Sequence, residues 1–283
     1  MKTPKRILPL VEEGLVDEVI RQLMSGKEAT VYEVRCGDEI RCAKVYKESN
    51  QRSFHQAVAY QEGRRVKNSR QARAMEKGTR YGKKMAEEVW QNAEVDALYR
   101  LAAAGVRVPT PYVCFEGVLL MDLVTDANGN AAPRLNDVEL DHALALQYHR
   151  QLLREVILML NAGVIHGDLS EYNILVDEHG PVVIDLPQAI DAASSSVAGR
   201  MLERDVTNLT NFFSVAAPEL IGSQYGKEIW LLYQAGTLTP DSPLTGKVAA
   251  PTTVVDVEAV INEIELARLE EEDRVRRQLE MQG

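Results

Sequence analysis

An α+β fold of two lobes is expected for this chain, with an antiparallel sheet in the first lobe and mainly helices in the second. Three observations carry that expectation. Short, alternating, β-branched segments fill the first 125 residues around one long helical stretch. From Asn136 onward helical spacings dominate. One further pair of apolar strands, in NILVDEHGPVVIDLPQ, interrupts those helices and gathers polar residues at its open end. A length of 283 residues is enough for a full core divided between two lobes.

The elements follow in order. Leu15, Val16, Val19, Ile20 and Leu23 recur at helical spacing, which predicts a helix over 9–23 and makes residues 1–24 a helical extension. ATVYEVR and IRCAKVYK alternate as strands, and CGDE between them reads as a hairpin turn. MAEEVWQNAEVDALYRLAAAG is one long helix stopped by Gly105. VPTPYVCFEGVLLMDLV gives two strands around Glu116-Gly117. Residues 25–124 therefore form the first lobe and 125–235 the second, with helices over 141–162 (closed by Gly163), 200–213 and 218–234. The Pro, Thr and Gly content of 236–253 reads as a linker. Val257, Val260, Ile261 and Ile264 make 254–283 a helical tail.

Composition narrows the function classes. Hydrophobic residues are 45% and charged ones 26%, ordinary for a globular protein. No apolar run approaches the roughly 20 residues of a membrane span, and MKTPKRILPLVEEGL turns acidic too soon for a signal peptide. Cys36, Cys42 and Cys114 cannot make an even disulfide framework and lack metal-ligand spacing; buried free thiols in a reducing cytoplasm are expected. Net charge is −10, yet residues 64–84 hold nine basic residues against one acid. Such a segment either meets an anionic partner or is a solvated, mobile loop.

The stretch VIHGDLSEYNILV poses the chemical question. A three-residue loop Glu178-His179-Gly180 would pair 177 with 181 and set Asn173 opposite Asp185. Asp168 enters the same end of the hairpin. Three oxygen-bearing side chains beside apolar strands suit a hard cation such as Mg²⁺ and the phosphates it carries. Asp-x4-Asn followed by a second Asp after a strand pair matches the protein-kinase division of labour: one Asp receives the substrate hydroxyl proton, while Asn and the second Asp hold metal. The bland reading has these residues capping the hairpin. Lys44 favours chemistry, because a lysine on the face of Ile40, Cys42 and Tyr46 is costly unless an anion meets it. The alternative is a lysine snorkelling at a sheet edge, and a kinase provides phosphates and a helix glutamate as the anions. Glu94 on the long helix is its expected partner, ahead of Glu87 and Glu88. Neither a Walker motif nor GxGxxG surrounds MSGKEATVY, but Ser25, Gly26 and Lys27 supply a hydroxyl, a glycine and a cation.

SGKEATVY, CAKVYK, the Glu94 helix, LLMDL, HGDLSEYNILV and VIDLPQ occur in that order. Together they resemble the RIO family of atypical serine/threonine protein kinases over roughly residues 8–235. The resemblance implies a trimmed two-lobed protein-kinase-like fold with ATP and Mg²⁺ (Mn²⁺ as an alternative) in the cleft. It implies Ser25, Gly26 and Lys27 as phosphate loop, and Lys44 on the α- and β-phosphates paired with Glu94. It implies Met121 as gatekeeper, with the backbone of Asp122 and Val124 on adenine. Asp168 would be the catalytic aspartate, with Asn173 and Asp185 on metal and Asp185 also a candidate phosphoryl acceptor in an ATPase-like cycle. Asp205 would fix the catalytic-loop backbone. The segment 64–84 would be the family's flexible loop, where Ser69 and Thr79 offer hydroxyls for autophosphorylation.

Departures and alternatives stand beside this. The residues ahead of the phosphate loop are too few for the winged-helix domain of one family branch, so a bacterial-type member with no DNA-binding domain is expected. DLPQ stands where ordinary kinases carry DFG. AAPEL at 216–220 reads as a helix start rather than a kinase APE motif. His166 should bond backbone in the catalytic loop, and His142 and His149 should be ordinary helix residues. A small-molecule kinase shares the HGD-type loop and the hairpin aspartate. A nucleotide-switched factor that docks on an RNA–protein particle is the other alternative to a kinase acting on an unknown protein substrate.

Overall fold

In the computed structural model, residues 3–26, 28–47, 93–193 and 197–248 are described. The chain divides into two units, Met1–Lys247 and Val248–Gly283, and the architecture below belongs to the first. Lys27, residues 64–84 with Ser69 and Thr79, the start of the long helix with Glu87, Glu88 and Trp90, and the tail 254–283 lie outside the described residues.

The first lobe opens with α1 (Leu8–Glu12), a five-residue helix with Pro9 in its first turn. So short a helix has little stability of its own. Ile7 and Leu10, both fully buried, hold it against the sheet, each contributing roughly 1.5–3 kcal/mol. The helix expected over 9–23 ends here. Gly14 takes φ +71°, and the chain then enters β1 (Glu18–Ser25). Val19 is buried and pairs with Val34 of β2 (Ala29–Cys36), so Val19, Ile20 and Leu23 of the spacing read as helical belong to a strand that bulges between Val19 and Arg21, and Leu15 and Val16 precede it. A bulge breaks the two-residue alternation and so imitates helical spacing.

Strands β3 (Glu39–Tyr46), β4 (Pro111–Phe115) and β5 (Val118–Asp122) complete an antiparallel sheet of order β1-β2-β3-β5-β4. Both expected hairpins form, across Gly37-Asp38 and across Glu116-Gly117. Pleat alternation divides the sheet between two cores. Ala43, Val45, Val118 and Leu120 pack with α1, whereas Tyr46 and Leu119 join the larger core with Val95, Leu98 and Leu101. Those last three lie on α2, helical over 93–103 among the described residues. Only Cys42 is the expected buried thiol; Cys114 is exposed and Cys36 half-buried.

The second lobe is built on α3 (His142–Asn161), which starts where Asp141 accepts the Leu144 N–H at 2.8 Å. Leu152, Val156, Ile157 and Leu160 of α3 are buried in the larger core. Short strands β6 (Val164–Ile165) and β9 (Ile190–Asp191) pair across the hairpin of β7 (Ile174–Asp177) and β8 (Gly180–Val183). Helix α4 (Ala198–Ser214) carries the expected 200–213 segment. The helix expected over 218–234 is divided: Pro218–Leu220 is a single 3-10 turn, Gly222 takes φ +78°, and α5 runs Tyr225–Gln234. Of the residues 236–253 read as linker, 236–247 are instead docked on this lobe. Glu228 accepts the N–H groups of Thr245 (3.0 Å) and Gly246 (2.7 Å), and Leu238 and Leu244 pack on the core. Among the described residues no helix is long and apolar enough to cross a membrane.

Candidate phosphoryl-transfer site

The hairpin that carries the site is shifted by one residue from the expected register. Asp177 faces Gly180 and Ile174 faces Val183, so the loop is the two residues Glu178-His179. Asn173 then lies opposite Ile184, whose N–H it accepts at 3.0 Å, and not opposite Asp185. A one-residue slip moves every side chain to the other face. Asp185 still reaches the site, because β8 ends at Val183 and Asp185 takes φ +66°. That left-handed conformation is costly for a residue with a Cβ, of the order of 1–3 kcal/mol, and it persists where surrounding contacts impose it.

Lys44 supplies such a contact. Its Nζ lies 2.5 Å from Oε1 of Glu94 and 2.7 Å from Oδ1 of Asp185, joining β3, α2 and the second lobe. Lys44 is 8% exposed and Glu94 3%. Burial opposes the ammonium charge, but the two carboxylates outweigh burial and raise the Lys44 pKa. Burial likewise disfavours the Asp185 carboxylate, and Lys44 reverses the balance and lowers its pKa.

The segment 166–173 is braced by buried groups. Asp205 on α4, 2% exposed, accepts the Gly167 N–H at 2.7 Å; burial raises its pKa. His166 accepts the Asp168 N–H on Nδ1 at 3.2 Å, so its proton sits on Nε2, which donates to the Ile184 carbonyl at 3.0 Å. Gly167 has φ +80°, and a Cβ there would stand 2.5 Å from the Gln188 carbonyl oxygen. Asn173 Nδ2 donates to the Asp168 carbonyl at 2.8 Å, which leaves the amide oxygen as an acceptor. Burial raises the pKa of the Asp168 carboxyl, whose Oδ2 lies 3.4 Å from Gln188 Nε2.

The remaining candidates lie in the first lobe. Ser25 and Gly26 form a tight turn in which Gly26 N–H donates to the Ala29 carbonyl at 2.9 Å. Lys47, which the sequence pattern does not mark, ties this turn, donating to Ser25 Oγ at 3.1 Å and the Gly26 carbonyl at 2.6 Å. Met121 pairs with Cys42 of β3. The Asp122 side chain is engaged by the Tyr112 hydroxyl and the Thr110 N–H, and its own N–H by the Thr110 carbonyl. The Val124 carbonyl accepts from Ala132, while its N–H has no acceptor among the described residues. Gln188 and Arg134 are further residues at this site that the sequence reading did not single out. Gln188 sat inside the quoted VIDLPQ; nothing in the local pattern around Arg134 marks it.

His142 and His149 are helix residues with partners: His142 Nε2 lies 2.7 Å from Glu219, and His149 Nε2 lies 3.1 Å from Thr210 Oγ1. Among the described residues no three His, Cys, Asp or Glu gather as a metal site made by protein alone.

The RIO domain model matches residues 30–224. The chain is 35% identical over 210 residues to the RIO-type serine/threonine-protein kinase Rio1 of Haloferax volcanii, covering 73% of this chain and 67% of that one. It is 31% identical over 214 residues to the protein of the same name from Methanocaldococcus jannaschii, covering 75% of this chain and 68% of that one. It is 29% identical over 218 residues to the serine/threonine-protein kinase rio1 of Schizosaccharomyces pombe, where the match spans 75% of this chain but only 41% of the yeast protein. With a domain match across both lobes and the Lys44, Glu94, Asp168, Asn173 and Asp185 cluster between them, this chain belongs to the RIO domain family of serine/threonine kinases.

Proposed function

We propose that the chain transfers the γ-phosphoryl group of ATP to serine or threonine hydroxyls of a protein acceptor, its own Ser69 and Thr79 among them. The observation that carries this reading is the meeting of Lys44, Glu94 and Asp185 within hydrogen-bond distance, beside Asp168 and Asn173 on one braced loop. Ser25, Gly26 and Lys27 would close over the phosphates. The Asp122 carbonyl and Val124 N–H would hold adenine behind Met121. Asp168, raised in pKa by burial, is suited to accept a hydroxyl proton as the phosphorus–oxygen bond forms and ADP leaves.

The donor set fits Mg²⁺, with Mn²⁺ as an alternative. Asn173 presents an amide oxygen because its nitrogen is engaged, and Asp185 presents a carboxylate. Mg²⁺ takes one or two such protein oxygens and completes its shell with phosphate and water. Bound there, it would neutralise developing phosphate charge.

A second reading follows from Asp185 itself. Its side chain is 44% exposed, open to attack the γ-phosphorus, release ADP and form an aspartyl phosphate that water then cleaves. The basic segment 64–84 would let nucleotide state control docking on an RNA–protein particle; such docking must weaken steeply with salt.

Incubation with γ-labelled ATP and Mg²⁺, beside Asp168→Ala and Asp185→Asn, separates these readings. Alkali-sensitive but hydroxylamine-stable label on Ser69 or Thr79, lost in Asp168→Ala, supports the hydroxyl-directed kinase. Hydroxylamine-labile label absent from Asp185→Asn supports the aspartyl phosphate. Absence of label and of ATP turnover in the wild type refutes both and redirects the search to small-molecule acceptors.

A further inference from the structure

Arg134 stands on backbone tied into the second lobe. It bridges Leu175, two residues beyond Asn173, and its carbonyl accepts the Asp137 N–H at 2.9 Å. The preceding Pro133 carbonyl accepts the Val176 N–H, also at 2.9 Å. From this base in the second lobe the guanidinium crosses to the first, where Nη2 lies 2.7 Å from Sδ of Met24, the residue before Ser25 and Gly26. A thioether is a weak acceptor, whereas a guanidinium carries five donors and a permanent charge. Among the described residues no carboxylate forms an ion pair with Arg134. Its charge nevertheless reaches Asp185, whose pKa it helps to lower.

The charge balance of the cleft gives that cation a task. Lys44 already faces two carboxylates, Glu94 and Asp185. Lys47 is tied to Ser25 and Gly26. Arg204 is tied to the Gly167 carbonyl and Asp205. A triphosphate entering between Met24 and Asp185 would meet Arg134 as the cation with the weakest existing partner among these four.

We propose that Arg134 is a nucleotide-binding residue that reaches across the cleft and donates to a phosphate oxygen of ATP, exchanging Met24 for phosphate. This rests on the ATP-binding reading above. The competing role is a strut that merely holds Met24 in place.

The test titrates the full chain with ATP, ADP and adenosine, each with Mg²⁺, comparing wild type, Arg134→Ala, Arg134→Gln and Met24→Leu. Arg134→Gln keeps most of the side-chain stem and guards against a folding defect in the alanine variant. The expected result is at least a tenfold loss of ATP and ADP affinity in both Arg134 variants, unchanged adenosine affinity, and wild-type behaviour of Met24→Leu. Equal weakening of adenosine, or the same loss in Met24→Leu, overturns the proposal in favour of a strut. Wild-type ATP binding with indifferent Arg134 variants overturns this proposal alone; a wild type that binds no ATP overturns it together with the functional reading.

Discussion

His149 should make the stability of this protein fall between pH 6.5 and 4. It lies on α3, 2% exposed, edge-on to Phe213 at 5.7 Å and Tyr225 at 5.1 Å between ring centroids. Burial, aided by Arg150, lowers its pKa from 6.5 to about 4. The unfolded chain binds the proton near 6.5 and the folded chain resists it until about 4, so stability is full above pH 6.5 and drains away as pH falls through this window. Each pH unit inside the window costs about 1.4 kcal/mol, hence about 2 kcal/mol at pH 5 and about 3 kcal/mol near pH 4. His149→Phe removes the titrating group and keeps an aromatic ring among aromatic neighbours. It loses the contact with Thr210, worth about 1 kcal/mol at neutral pH. Urea unfolding of both proteins at pH 7.5, 6, 5 and 4.5 isolates the effect, because the remaining titrating groups are shared. The variant should start slightly less stable and become the more stable protein by pH 5. Parallel stability curves for the two would refute the assignment of a neutral, proton-resisting His149.

Two other substitutions probe the braced loop. Asp205→Ala leaves the Gly167 N–H buried without its acceptor, which costs about 2–3 kcal/mol in urea unfolding and lowers phosphoryl transfer at least tenfold by releasing the loop that holds Asp168; unchanged turnover in a folded variant would count against the bracing role. Gly167→Ala adds a Cβ 2.5 Å from the Gln188 carbonyl at φ +80°, so a loss of about 1–3 kcal/mol is expected from backbone strain, read by thermal unfolding.

Much of the fold is legible in local pattern. Asp141 and Gly163 mark both ends of α3 because capping chemistry is local. The β2–β3 and β4–β5 hairpins announce themselves through alternation around glycine turns. A lysine on an apolar strand face is costly without an anion, the protein-kinase pattern supplies a glutamate on the following helix, and Lys44 meets Glu94 there at 2.5 Å. The spacing of Asp168 and Asn173 is likewise local, and their hydrogen bond stays within one loop.

What lay beyond the sequence was decided by contacts between distant segments. Residues 18–25 became strand rather than helix because β2 offered a ladder and α1 a buried face; a bulged strand and a helix share nearly the same apolar spacing. The β7–β8 register slipped by one residue, and Asp185, in a left-handed backbone conformation just past β8, meets Lys44 of the other lobe. Glu228 bound 245–246 to the second lobe, although composition alone reads that segment as a linker. Arg134 and Lys47 gained their places beside Met24, Ser25 and Gly26 the same way, through partners 110 and 22 positions distant in sequence. Spacing along the chain set which groups this protein carries; the sign of one φ angle and the register of one hairpin, imposed by tertiary packing, set where those groups meet.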